Sequence, residues 1–121
     1  MHFARAIEDS LHGPALRDRL SDLLDEARSR TFEVIEPLAA DDLFQQHDRL
    51  MSPIIWDVGH IGNFEELWGV RPFHDNVRPE YDAMYDAMKV PRAIRDKLPL
   101  PALSIVMEYL STVRGRVSEY L

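Results

Sequence analysis

Residues 50–66, LMSPIIWDVGHIGNFEE, decide the reading of this chain. Ser52 is a favourable N-cap and Pro53 a favourable first helical residue, where a missing N–H costs nothing. Trp56, His60, Phe64 and Leu67 follow at spacings of 4, 4 and 3, which places them on one helical face. The pattern predicts a helix from Ser52 to about Trp68, with Gly69 as its stop. Bundle cores build metal sites from inward side chains, so His60 is a ligand candidate. A lone histidine on an apolar face is more often a satisfied core residue, and local physics alone favours that reading.

Outward from this stretch the periodicity stays helical. Leu16, Leu20, Leu23, Ala27, Thr31, Val34 and Leu38 form one stripe, and Pro37 marks its end. A second stripe runs through Leu103, Val106, Leu110, Val113, Val117 and Leu121. The expected long helices are therefore about 15–38, 52–68 and 101–121, with a short one over 3–11. Residues 39–51 read as a polar connection. Residues 70–100 read as irregular, with Pro72, Pro79, Pro91 and Pro99, and Tyr81, Met84, Tyr85 and Met88 predict a short helix within them. The last stripe has no glycine or asparagine C-cap at Glu119-Tyr120-Leu121. This predicts an all-α bundle of three long helices cut short of a fourth. The groove so exposed would favour a homodimer.

Composition bounds the function. The 121 residues suit one domain, and 45% hydrophobic content suits a real core. A formal charge of −7 disfavours binding to phosphate backbones. Local cations (Arg28 and Arg30; Arg92, Arg95 and Lys97; Arg114 and Arg116) suit a small anion better than a nucleic acid. With no cysteine, the chain has no disulfide, thiolate site or thiol nucleophile of its own. The charged start MHFARAIEDSLHG has no signal-peptide core, and no run nears the roughly 18 apolar residues of a membrane span. The expectation is a cytoplasmic protein with no nucleic-acid or membrane partner.

Three blocks carry a family resemblance: MSPIIWDVGHIGNFEELW, then YDAM with KVPRAIRDKLPLP, then YLSTVRGRV. Over roughly residues 15–121 the chain resembles the N-terminal DinB-like domain of the sulfoxide synthases of ergothioneine biosynthesis, which are non-haem iron(II) enzymes. The resemblance implies a four-helix bundle with a three-histidine iron site, in which His60 is the first ligand. The other two ligands belong to an H-x-x-x-H-x-E motif on the fourth helix, which this sequence does not contain. A C-terminal domain with the catalytic tyrosine is also missing from it. The family joins cysteine or γ-glutamylcysteine to trimethylhistidine with O2, forming a C–S bond and a sulfoxide. Arg92 and Arg95 would hold the carboxylates of the thiol substrate. The chain alone is expected to be inactive and to bind no tight metal.

The residues add further expectations. Three neutral imidazoles suit Fe(II) and leave positions open for thiolate and O2. Asp57, Glu65 and Glu66 are nearby candidates to orient His60. Arg92 and Arg95, three apart, can face one way and grip carboxylates, or form a solvated pair beside Asp96. Lys97 and Arg78 rank below them. His47 and His74 lack helical ligand spacing, and His2 and His12 read as solvated. Glu65 and Glu66 do not have the spacing of a Glu-x-x-His metal motif. Trp56, Phe64 and Trp68 read as core packing, as do Tyr81 and Tyr85 by default. Two other readings remain: a non-catalytic interaction or dimerisation module, and a DinB-like metal-dependent thiol transferase.

Overall fold

The computed structural model describes residues 13–121. The short helix expected over 3–11, with His2 and His12, lies outside the described residues. Two compact units are present, one holding residues up to Glu36 and the other Pro37–Tyr120.

Among the described residues, the first unit holds one long helix, α1, Gly13–Ile35. Gly13 opens it at φ +61°, a left-handed backbone that glycine adopts without strain. The helix ends ahead of Pro37, whose ring would clash with a continued turn. Its buried side is not the expected stripe. Arg28 and Ile35 are buried, whereas Leu20, Leu23 and Val34 are exposed. Leu24, Phe32 and Ile35 form a neighbouring apolar row on the same helix, and spacing alone cannot choose between two adjacent rows.

The second unit is built around two helices, α3 (Ile54–Glu65) and α5 (Leu103–Tyr120), which pack together. Short elements complete it: α2 (Ala40–Phe44), a π turn (Glu66–Val70), α4 (Tyr81–Met84) and a 3-10 turn (Arg92–Lys97). No strand occurs among the described residues. Gly62 permits the α3–α5 contact, because a Cβ there would stand 2.8 Å from Leu110 Cδ2. Val106, Tyr109, Leu110 and Val113 are buried along α5. Val70, Tyr109 and Val113 form one core cluster, with Val77, Tyr81 and Val117 packed against it.

The start and stop of the central helix differ from expectation. Ser52 does not cap it; Pro53 is the N-cap residue, with no side-chain cap bond. The Ser52 hydroxyl instead accepts a 2.7 Å hydrogen bond from Arg95 Nη1. Gly69 does not end the helix either. The chain passes through a π turn closed by Arg71 N–H to the Glu66 carbonyl at 3.0 Å, and Gly69 faces Val117 there. Phe64 and Trp68 are not core residues: they are 56% and 70% exposed. Only Trp56 of the three is buried.

Candidate functional site

Trp56, His60, Phe64 and Trp68 stand one turn apart and form a ladder of rings. Trp56 and His60 are stacked at 5.0 Å between centroids and 9° between planes. Trp56 Nε1 donates to the Met84 carbonyl at 2.9 Å. His60 Nδ1 lies 2.8 Å from the Tyr85 carbonyl oxygen. A carbonyl can only accept, so Nδ1 carries the proton. A neutral His60 then keeps its lone pair on Nε2, the state a metal-binding imidazole needs. The orienting acceptor is thus a main-chain carbonyl, not Asp57, Glu65 or Glu66.

The residues present meet one requirement of a metal centre. His60 offers one correctly prepared imidazole, but no group of three or more His, Asp or Glu side chains able to hold a metal occurs among the described residues. His47 Nε2 is paired with the Asp42 carbonyl at 3.3 Å. His74 packs edge-on to Tyr120, at 5.9 Å.

Arg95 is 5% exposed and tied down on most sides. Its Nε and Nη2 donate to the Val90 carbonyl at 3.1 and 2.9 Å, Nη2 also to Ala87 O, and Nη1 to Ser52. Its guanidinium carbon sits 3.8 Å from the Trp56 ring centroid, a cation–π contact. Burial, then the charge of Arg92, pulls its pKa below the usual guanidinium value. Arg92 is exposed, and among the described residues its side chain makes one long hydrogen bond, 3.5 Å to Leu50 O. Its own carbonyl accepts from Gln46 Nε2 at 2.9 Å, which pins the 3-10 turn. Residues three apart eclipse in such a turn, so both arginines face one way.

They meet His60 and Asp57 in one open cleft of about 440 Å³, walled by Met51 and Trp56. Burial pushes Asp57 above the usual carboxylate value, against the charges of Arg95, His60 and Arg92. A second cleft of about 500 Å³ adjoins it through His60 and Ala87 and is walled by Phe64, Trp68 and Met88. His60 therefore borders a cationic cleft and an apolar one. Lys97 and Arg78 line neither cleft.

Across the same helical run, the buried side chains of Glu66, Asn63 and Tyr109 join the part-buried Arg71 and Asp82, partners that the sequence did not reveal. Glu66 is 0% exposed and accepts from Tyr109 Oη (2.8 Å), Arg71 Nε and Nη2 (2.9 and 2.8 Å), and the Val77 and Arg78 N–H groups (3.0 and 3.1 Å). Burial alone would raise its pKa, but the hydrogen bonds from Tyr109, Arg71, Val77 and Arg78 outweigh it and hold the carboxyl below its usual value. Arg71 also grips Asp82 through Nη1 and, at 2.7 Å, Nη2. Asn63 Nδ2 donates to the same carboxylate at 2.9 Å. Arg71 lowers the Asp82 pKa first and Asn63 adds to it, against burial. Nothing in the spacing of Glu66, Arg71 and Asp82 announces this cluster, because the π turn and the 71–80 loop bring them together.

Comparison with known proteins supplies the family. The model of the DinB superfamily matches residues 23–121. The chain belongs to the DinB superfamily, a helical bundle fold. It is 40% identical over 109 residues to a hercynine oxygenase of Mycolicibacterium smegmatis, covering 87% of this chain and 25% of that protein. It is 38% identical to the hercynine oxygenase of Mycolicibacterium thermoresistibile, over 87% of this chain and 24% of that protein. For the hercynine oxygenase of Mycobacterium tuberculosis the values are 36%, 86% and 25%. The chain thus spans about a quarter of the length of the curated relatives it matches. No helix among the described residues is long and apolar enough to cross a membrane.

Proposed function

We propose that this chain is the helical N-terminal domain of a hercynine-oxygenase-type enzyme. That enzyme would join a cysteine-type thiol to trimethylhistidine with O2, forming the C–S bond and sulfoxide of ergothioneine biosynthesis. The observation that carries the reading is the His60 arrangement. Its Nδ1 is committed to the Tyr85 carbonyl, its ring is stacked on Trp56, and two arginines share its cleft. In this reading His60 is one ligand of an iron(II) ion. Its remaining ligands belong to the H-x-x-x-H-x-E motif that this sequence does not contain, so this chain alone binds no tight metal.

The two arginines then divide the work. Arg95, held by three main-chain and side-chain partners, contributes fixed positive charge at the cleft wall. Arg92, with its guanidinium nearly uncommitted, makes the charge-assisted contacts to the carboxylate of cysteine or γ-glutamylcysteine. Bound iron would supply activation of O2 and of the thiol. The chain's own residues fix the imidazole, anchor the anionic end of the thiol substrate and present an apolar wall beside them.

The test is to express the reading frame to its stop codon, load it with iron(II), and supply hercynine, O2 and either thiol. Mass spectrometry should detect a sulfoxide conjugate, lost in His60→Ala and formed with raised KM for the thiol in Arg92→Ala. Undiminished product from His60→Ala would reject the ligand role, and an unchanged KM in Arg92→Ala would reject the substrate role.

One observation favours a second reading. Phe64, Trp68 and Met88 are exposed side by side at the apolar cleft, as in a helical interaction or dimerisation module. Sedimentation showing tight dimers in metal-free protein, with no product in the assay above, would favour that reading.

A further inference from the structure

The carbonyl that sets the state of His60 belongs to Tyr85, the residue that ends α4. A four-residue helix has no stability of its own, since nucleating one turn is unfavourable. The position of this carbonyl therefore depends on what holds α4. Its start is held through Asp82, whose carboxylate takes both Arg71 nitrogens and Asn63 Nδ2. Arg71 is itself fixed by Glu66, and Asn63 projects from α3, the helix that carries His60. The end of α4 is held by Trp56 Nε1 on the Met84 carbonyl and by the Tyr85 ring in the cradle of Gly59. Asp82 thus joins α4 to α3 one turn from the Tyr85 carbonyl.

We propose that Asp82 is a positioning residue for His60: clamped by Arg71 and Asn63, it fixes α4 so that the Tyr85 carbonyl holds the imidazole as its Nδ1–H tautomer, with the lone pair on Nε2. The importance of this for chemistry rests on the ligand role of His60 given above, but the positioning itself does not. The clamp acts through geometry, because neither carboxylate oxygen of Asp82 bonds to the histidine. Its partners are the amide of Asn63 and the guanidinium of Arg71. Free neutral imidazole carries no such constraint, and the partner of one ring nitrogen decides which of the two is protonated.

The test uses the metal-free chain and nitrogen-15 NMR of the histidine ring at a pH where His60 is neutral. Wild type should show the Nδ1–H pattern. Asp82→Ala should lose it in favour of the Nε2–H form or an exchange-averaged mixture. Asn63→Ala, which leaves the Arg71–Glu66 pair intact, should move the same way to a smaller extent. Glu65, on the same helix as His60, pairs with Arg114 of α5 at 2.9 Å; Glu65→Ala breaks that pair, serves as the control for general loosening and should leave the tautomer unchanged. An unchanged Nδ1–H pattern in folded Asp82→Ala, or in Asn63→Ala if the first variant does not fold, overturns the proposal. So does an equal shift in Glu65→Ala. Because no metal enters this experiment, its outcome is separate from that of the product assay on His60→Ala.

Discussion

Glu66 and His60 belong to one helical run, Ile54–Val70, and meet different surroundings. Both oxygens of Glu66 are filled by hydrogen bonds, and water has no access to it. His60 is only half-buried, and one nitrogen is fixed while the ring borders two clefts. A fully satisfied buried network stiffens a fold and selects one arrangement of its loops. A group with one committed and one uncommitted nitrogen is prepared to bind something. A polar side chain closed into the core and one left beside two clefts thus sit on the same few turns.

The largest expected break in this comparison is Glu66→Ala. It leaves Arg71, the Tyr109 hydroxyl and two main-chain N–H groups short of an acceptor. Loss of one partner of a buried charged pair costs about 3–5 kcal/mol. Urea unfolding should show a loss of that order, while His60→Ala should lose less, roughly 0.5–1.5 kcal/mol from one hydrogen bond and a similar amount from the stack on Trp56. Similar losses in the two variants would erase the distinction.

Gly59→Ala comes next. A Cβ there would stand 2.2 Å from Tyr85 Cζ, so the phenol must move from the place that holds the end of α4. Overpacking of this kind costs about 1–3 kcal/mol, measurable by urea unfolding. The variant should also disturb the Nδ1–H pattern of His60 by NMR, which ties the two regions through α4.

Acid should sharpen the contrast further. Glu66 and Asp82 both have folded pKa values below their unfolded ones. Their contribution is complete above the usual carboxylate values and is lost as pH falls through the lowered folded values. A stability profile should therefore fall on acidification below the usual carboxylate range, and Glu66→Gln should flatten that fall.

Asp57 gives the smallest effect, with the opposite sign. Its pKa is raised, so its charge opposes folding as pH rises through the folded value. Asp57→Asn should slightly raise Tm at neutral pH and make no difference under acid conditions where both forms are neutral. A lower Tm at neutral pH would show that the attraction of Arg95 and Arg92 outweighs burial at this position.

Much of this was legible in the chain. The i, i+4 recurrence of Trp56, His60 and Phe64 placed their rings on one face, and a 3.6-residue period leaves no other choice. The valine and leucine positions of α5 follow from the same period, and the spacing of Arg92 and Arg95 allows either a pair facing one way or a solvated pair beside Asp96. Periodicity says which residues share a face, but it is silent on which face is covered. It therefore could not distinguish the two apolar rows of α1, or foresee that Trp68 is exposed while Trp56 is buried. It also could not find partners separated by loops. Ser52 satisfies Arg95 rather than the helix, the Tyr85 carbonyl orients His60, and Glu66 gathers Tyr109, Arg71 and two N–H groups. The long helices follow from the order of residues, because helical periodicity depends on neighbours within a turn or two, whereas α2 (Ala40–Phe44) lies within the stretch read as a polar connection. Which polar groups are satisfied depends on the folded chain, because buried hydrogen bonds are allotted by where the loops fold back.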